Sequence, residues 1–223
     1  LWIERGPGSA FVFKRGHDGS FVETARLTAS DGTPETLFGS HGAIYDNLAA
    51  VSAPLVDVFG AVYLFKTDDE WVTWTQVAKL VPTEPHYFFG MALSLDASLL
   101  AVAASDVNVL SSDRAALGTG AVFAYTHTGD YVAMVEASDG SFGDEFGSDV
   151  SIDSGLLVVG APRHSGGGQA YVYDTKTWAE VARLNSTVEG EYFGRAIDVK
   201  DNTIVVGSNL YGLADGAPGC AEV

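Results

Sequence analysis

Phe146-Gly147-Ser148-Asp149-Val150-Ser151-Ile152-Asp153-Ser154-Gly155-Leu156-Leu157-Val158-Val159-Gly160-Ala161-Pro162 is the stretch that decides the fold. Val150 and Ile152 alternate with polar residues, as a strand with one buried face requires. Asp153-Ser154-Gly155 is a break of hairpin-turn length. Residues 156–161 then read as a second, almost wholly apolar strand, and Pro162, with no N–H to offer a ladder, ends it. Beyond a short loop, Gly168 leads into Tyr171 and Tyr173, aromatics at period two that mark a third strand. Residues 180–184, following Trp178, form a more polar outer strand.

The same order of events recurs along the chain. Phe38-Gly39, Phe89-Gly90, Phe146-Gly147 and Phe193-Gly194 stand 51, 57 and 47 residues apart. The polar breaks are Asp46-Asn47, Asp96-Ala97-Ser98 and Lys200-Asp201-Asn202, followed by apolar strands at residues 48–53, 99–104 and 203–207. Third-strand aromatics are Phe11/Phe13, Tyr63/Phe65 and Phe123/Tyr125, and outer strands fall at 24–27, 75–80 and 131–135. Self-similarity at this period, with four short strands per unit, specifies an all-β propeller of four-stranded antiparallel blades. Complete blades are expected at residues 38–80, 89–137 and 146–185, and partial ones at 1–27 and 193–223, in a single repeat domain. Each Phe-Gly should open an innermost strand with its phenylalanine buried.

These elements resemble FG-GAP repeats, which build the propeller of integrin alpha subunits and of many secreted bacterial and algal proteins. The fullest copy is Phe146-Gly147, Gly160-Ala161-Pro162 and residues 168–173; the middle element decays to Ser52-Ala53-Pro54, Ala103-Ala104-Ser105 and Gly207-Ser208-Asn209 elsewhere. The resemblance covers nearly the whole chain. It implies a seven-bladed ring, of which this chain supplies an arc of about four blades, three complete and two partial. A chain that starts at Leu1 without Met and stops inside a strand suits a piece of a longer protein; completion of the ring by another chain is the alternative. The resemblance further implies an extracellular or cell-surface, adhesive role. The family's calcium loop, Asp-x-Asp-x-Asp-Gly between the first two strands, encircles the ion with hard oxygens. The breaks here are too short for that, so no cofactor is required by these turns.

The formal charge is −17, from 29 acidic and 12 basic residues. Such a field disfavours nucleic acid and anionic membranes and leaves cationic, neutral or metal-bridged partners; solubility in a salty medium is the simpler reading. The apolar run 48–65 is broken by Pro54, Asp57 and Gly60 and is no membrane span. Cys220, the sole cysteine, excludes an internal disulfide. It is either a small residue at a strand start or the partner of a cysteine elsewhere. Glu222 departs from the repeat, falling where Phe11, Tyr63, Phe123 and Tyr171 stand.

Candidate chemistry is sparse. Asp139, Asp144 and Glu145, around Gly140 and Gly143, have carboxylates that could bend toward a calcium ion; Asp-Gly is equally an ordinary turn whose carboxylate caps local donors. His17, His41, His86, His127 and His164 stand singly, and no Gly-x-Ser-x-Gly elbow is present, so nothing indicates an enzyme. Asn185-Ser186-Thr187 is a glycosylation sequon. Loops after second and fourth strands emerge at one end of a propeller, and the long ones are here: residues 55–59, 106–119, 163–167 and 210–218. The partner surface is expected there, at Asp106, Asp113, Arg114, Arg163, His164 and Asp215. Twelve acids against Arg114 and Arg163 give that face its sign. The leading reading is a non-catalytic binding or assembly module making protein or glycan contacts through this loop face. The alternatives are a filament or coat subunit packing through blade rims at Phe21, Trp71 and Tyr131, aromatics that otherwise simply cover the rim, and an enzyme whose site lies in missing blades.

Overall fold

A computed structural model of the chain describes residues 6–69, 71–105, 119–186, 192–209 and 220–222. Its strands form antiparallel sheets that succeed one another along the sequence. A half-blade pairs β1 (Ala10–Arg15) with β2 (Phe21–Leu27). Three four-stranded blades follow. The first is β3 (Gly42–Tyr45), β4 (Leu48–Ala53), β5 (Ala61–Thr67) and β6 (Trp74–Leu80). The second is β7 (Phe89–Leu95), β8 (Leu99–Ala104), β9 (Ala121–Thr126) and β10 (Tyr131–Val135). The third is β11 (Val150–Asp153), β12 (Leu156–Ala161), β13 (Gln169–Asp174) and β14 (Glu180–Leu184). A three-stranded fourth blade contains β15 (Ala196–Lys200), β16 (Thr203–Ser208) and β17 (Cys220–Glu222). The chain is thus a partial propeller arc.

The second strands explain why the repeat reads as apolar runs. Along β4, Leu48 and Ala50 enter a core shared with Phe89, Leu100, Val102 and Phe123 of the second blade. Ala49, Val51 and Ala53 enter the core that holds Leu27 of the half-blade. In β12, Leu157 and Val159 pack toward the second blade while Val158 packs toward Ile197 and Val206 of the fourth. A sheet covered on both faces has no solvent side, so period-two polarity disappears from its centre. Between the first and second strands, Tyr45–Leu48, Asp153–Leu156 and Lys200–Thr203 close two-residue hairpins. Asp46, Ser154 and Asp201 take positive φ at the first turn position (49°, 52° and 52°), as a turn matched to strand twist demands.

The four phenylalanines are buried, at 4, 0, 0 and 3% exposure for Phe38, Phe89, Phe146 and Phe193. In the three full blades the ring stands edge-on to the third-strand aromatic: Phe38–Tyr63 at 5.5 Å, Phe89–Phe123 at 5.4 Å and Phe146–Tyr171 at 5.4 Å. Only Phe89-Gly90 lies inside its inner strand; the other three pairs precede theirs. The Phe-Gly backbone docks onto the preceding blade. Phe89 N–H donates to Phe59 O at 2.8 Å and Phe193 N–H to Gly167 O at 2.9 Å, and Gly8–Phe38 and Gly168–Phe193 are parallel bridges. A Cβ on Gly60 or Gly168 would stand 2.5 or 2.3 Å from the next blade's phenylalanine carbonyl oxygen. That close approach accounts for the glycine before each third strand.

A register shift recurs where third and fourth strands pair, between Leu64 and Phe65, Val172 and Tyr173, and at the matching place in the second blade. The outer strand carries one extra residue there, Val77, Val132 or Val181, each an exposed valine. A bulge twists a sheet's free edge and interrupts its ladder. In the half-blade, Phe11 and Phe13 occupy the positions of the buried aromatic pairs, yet they are 51 and 56% exposed, since no described Phe-Gly ring covers them.

Candidate functional site

The segments that connect one blade to the next lie on the loop face and are tied to the blade they enter. Asp139 accepts a hydrogen bond from Tyr171 Oη at 2.8 Å and pairs with the Arg183 guanidinium, which also covers the Tyr171 ring at 5.7 Å. Asp31 repeats this in the first blade: Tyr63 Oη donates at 2.8 Å, Lys79 Nζ pairs at 2.7 Å, and Lys79 lies 5.7 Å over the Tyr63 ring. The tyrosine sits opposite the cation across the third-to-fourth strand ladder in both cases. A second tether runs beside the first, Ser30 N–H to Gln76 Oε1 at 2.9 Å and Ser138 Oγ to Glu180. In the second blade the two strand positions are Phe123 and Met134, and the Phe123 ring is met instead by His86 at 5.5 Å.

Electrostatics follow from this pairing. The Lys79 ammonium, foremost, holds the Asp31 carboxyl below its ordinary range. Burial raises the Asp139 carboxyl, but Tyr171, Arg183 and His164 together outweigh that and leave it lowered. Burial, with the Asp31 carboxylate beside it, pushes the Tyr63 hydroxyl up to about 12.

The carboxylates singled out as a possible cation site each face a protein partner. Asp144 is buried, accepts Ser141 N–H at 2.8 Å and meets His164 Nδ1 at 2.9 Å, so it caps its own turn. Glu145 pairs with Arg163 Nε at 2.7 Å and Arg195 at 3.7 Å, and His164 Nε2 lies 3.9 Å from Asp139. Among the described residues, no three His, Cys, Asp or Glu side chains are gathered to hold a metal ion. Turn carboxylates between first and second strands likewise face protein donors. Asp96 Oδ1 caps the N–H groups of Ser98 and Leu99, and Asp153 is engaged by Lys200, Ser154 and the Asp201 N–H.

Of the expected partner-surface residues, Arg163 and His164 belong to this network; Asp106, Asp113, Arg114 and Asp215 lie outside the described residues. Asn185 is exposed just beyond β14. The count of acids against bases on this face needs correction. Lys79 and Arg183 reach it from outer strands by leaning over the neighbouring tyrosine, and Arg195 reaches Glu145 from beside a Phe-Gly. Tyr63, Tyr171, Lys79 and Arg183 were missed by sequence reasoning. The signal was present: Asp and Tyr are 32 residues apart in both copies. At the rim, Trp71 packs on Trp74 at 5.6 Å and Tyr131 on Tyr125 at 6.1 Å, whereas Phe21 is 68% exposed.

The FG-GAP repeat model matches residues 21–65 and 131–173. These two stretches are similar to FG-GAP repeats. Each matched stretch runs from one outer strand to the next blade's third strand and contains one Asp–Tyr pair, Asp31–Tyr63 or Asp139–Tyr171. No curated protein matches the chain. Among solved structures, that of the Dos1 propeller is similar with a TM-score of 0.54 and 16% identity, over 89% of this chain and 47% of that one. The chain therefore spans about half the length of that structure, and the likeness speaks for the propeller fold alone. A europium-containing methanol dehydrogenase has a TM-score of 0.44 and 12% identity, over 65% of this chain and 24% of that one, a likeness that carries no argument. No helix among the described residues is long and apolar enough to cross a membrane.

Proposed function

We propose that the chain is a non-catalytic binding and assembly module of the extracellular or cell-surface space, making protein or glycan contacts through its loop face, within a ring that the family resemblance sets at seven blades. The observation that carries this is preorganisation. Blades buried on both faces form a stiff support, and paired polar side chains hold the connecting segments at one end, which lowers the ordering cost of binding. The net charge of −17 favours cationic or neutral partners over nucleic acid. Calcium is not needed in this reading.

The test must spare Asp139 and Asp144, whose replacement would loosen the loops themselves. Deleting residues 107–117 and replacing Glu35 and Glu84 by Gln leaves the tethers intact. A folded variant should lose most attachment in a cell- or glycan-binding assay, with residual binding weakened by added salt. Undiminished attachment would eliminate the loop face. The exposure of Phe21 favours a second reading, assembly through the rim; Phe21→Ser would then abolish filament or coat formation while the loop variant assembles normally.

A further inference from the structure

Asn185 stands at a position that is exposed in every repeat. The residue just beyond the outer strand is Thr28, Val81, Glu136 or Asn185, and all four are exposed while the residue before them faces inward. At two of the four the backbone is pinned by the blade that follows: Tyr125 Oη donates to Val81 O at 3.3 Å and Tyr173 Oη to Glu136 O at 2.9 Å. With Leu184 paired to Ala170 and Ser186 buried at 8%, the Asn185 side chain is left pointing to solvent. Its Nδ2 makes one described hydrogen bond, a long one of 3.4 Å to Ser186 O. The sequence places Thr187 two residues on and no proline between.

We propose that Asn185 is an N-glycan attachment site, which rests on the extracellular reading above. The donor class is a polyprenyl-diphosphate-linked oligosaccharide. The amide nitrogen forms a bond to the anomeric carbon, the bond from that carbon to the diphosphate oxygen breaks, the amide loses a proton and the polyprenyl diphosphate leaves. The sugar projects from the loop-face end of the third blade, beside the outer strand whose bulged Val181 is 57% exposed. A hydrated chain there shields an apolar edge and confines partner contacts on this face to the blades on either side.

The test is secretion of the chain from a eukaryotic cell behind a supplied signal sequence, followed by peptide mapping after enzymatic glycan release in heavy-oxygen water. Asn185 should carry the label in most molecules. Asn185→Gln and Thr187→Ala should remove it, and Thr187→Ser should keep it. Secreted, folded protein with unlabelled Asn185 overturns the proposal. Attachment is measured in parallel on the same material, so unlabelled Asn185 with full loop-dependent attachment removes the glycan alone, whereas labelled Asn185 without attachment removes the binding reading alone.

Discussion

Gly60 has φ of 96° and its missing Cβ leaves room for the Phe89 carbonyl oxygen; Gly166 has φ of 97° with nothing within 4 Å of a Cβ. The two separate backbone strain from collision. Gly166→Ala should cost about 1 kcal/mol, the penalty of holding an alanine in a left-handed conformation, and Gly60→Ala roughly 2–4 kcal/mol, because backbone must also move. Urea denaturation midpoints check both, and equal losses would mean that the contact with Phe89 does not matter. Asp153 supplies a pH prediction at the same scale. The Lys200 ammonium, then Ser154 and the Asp201 N–H, lower its pKa to about 2. A depressed carboxyl stabilises the fold above its unfolded value near 4, and that contribution fades as pH falls toward about 2. Asp153→Asn should therefore flatten the acid limb of the stability profile between those values and leave the neutral-to-alkaline limb parallel to that of the parent chain, as measured by thermal melts across pH.

Two blade designs alternate at the element scale. First and third blades fasten the entering segment with Asp, Tyr and a cation; the second has Phe123 and Met134 at the two strand positions. Tyr171→Phe should cost about 1 kcal/mol by removing the hydroxyl from Asp139, while Phe123→Tyr should cost roughly 1–3 kcal/mol by forcing a hydroxyl into a fully buried site packed against the His86 ring. Chemical denaturation distinguishes them, and stabilisation by Phe123→Tyr would contradict the pairing. The limits of sequence reading show here. β4, β8, β10, β12 and β14 have the bounds the pattern predicts, since a turn and a change of polarity bracket each. Phe-Gly burial was legible from recurrence. The cation of the tether was not, because the bulges at Val77 and Val181 shift the outer strand by one residue, so counting along it from the turn puts Lys79 and Arg183 on the wrong face. The protein partners of Asp139, Asp144 and Glu145 were hidden for a related reason: Arg163, His164, Arg183 and Arg195 come from separate parts of the chain.

On the scale of the molecule, the half-blade exposes Phe11 and Phe13 where other blades bury an aromatic pair, and β1 has one edge without a described partner. Uncovered rings beside a free strand edge promote association. The 223-residue chain alone should show concentration-dependent scattering that Phe11→Ser with Phe13→Ser reduces severalfold; unchanged scattering would place the sticky surface elsewhere. The glycine docking described above carries a mechanical consequence. The half-blade and the three full blades each hold the phenylalanine of their successor, so neighbours share a fastening while, among the described residues, distant blades share none. Pulled from its two ends, such a chain should part like a row of hooked links, in a sawtooth of similar rips, each releasing about one repeat of slack.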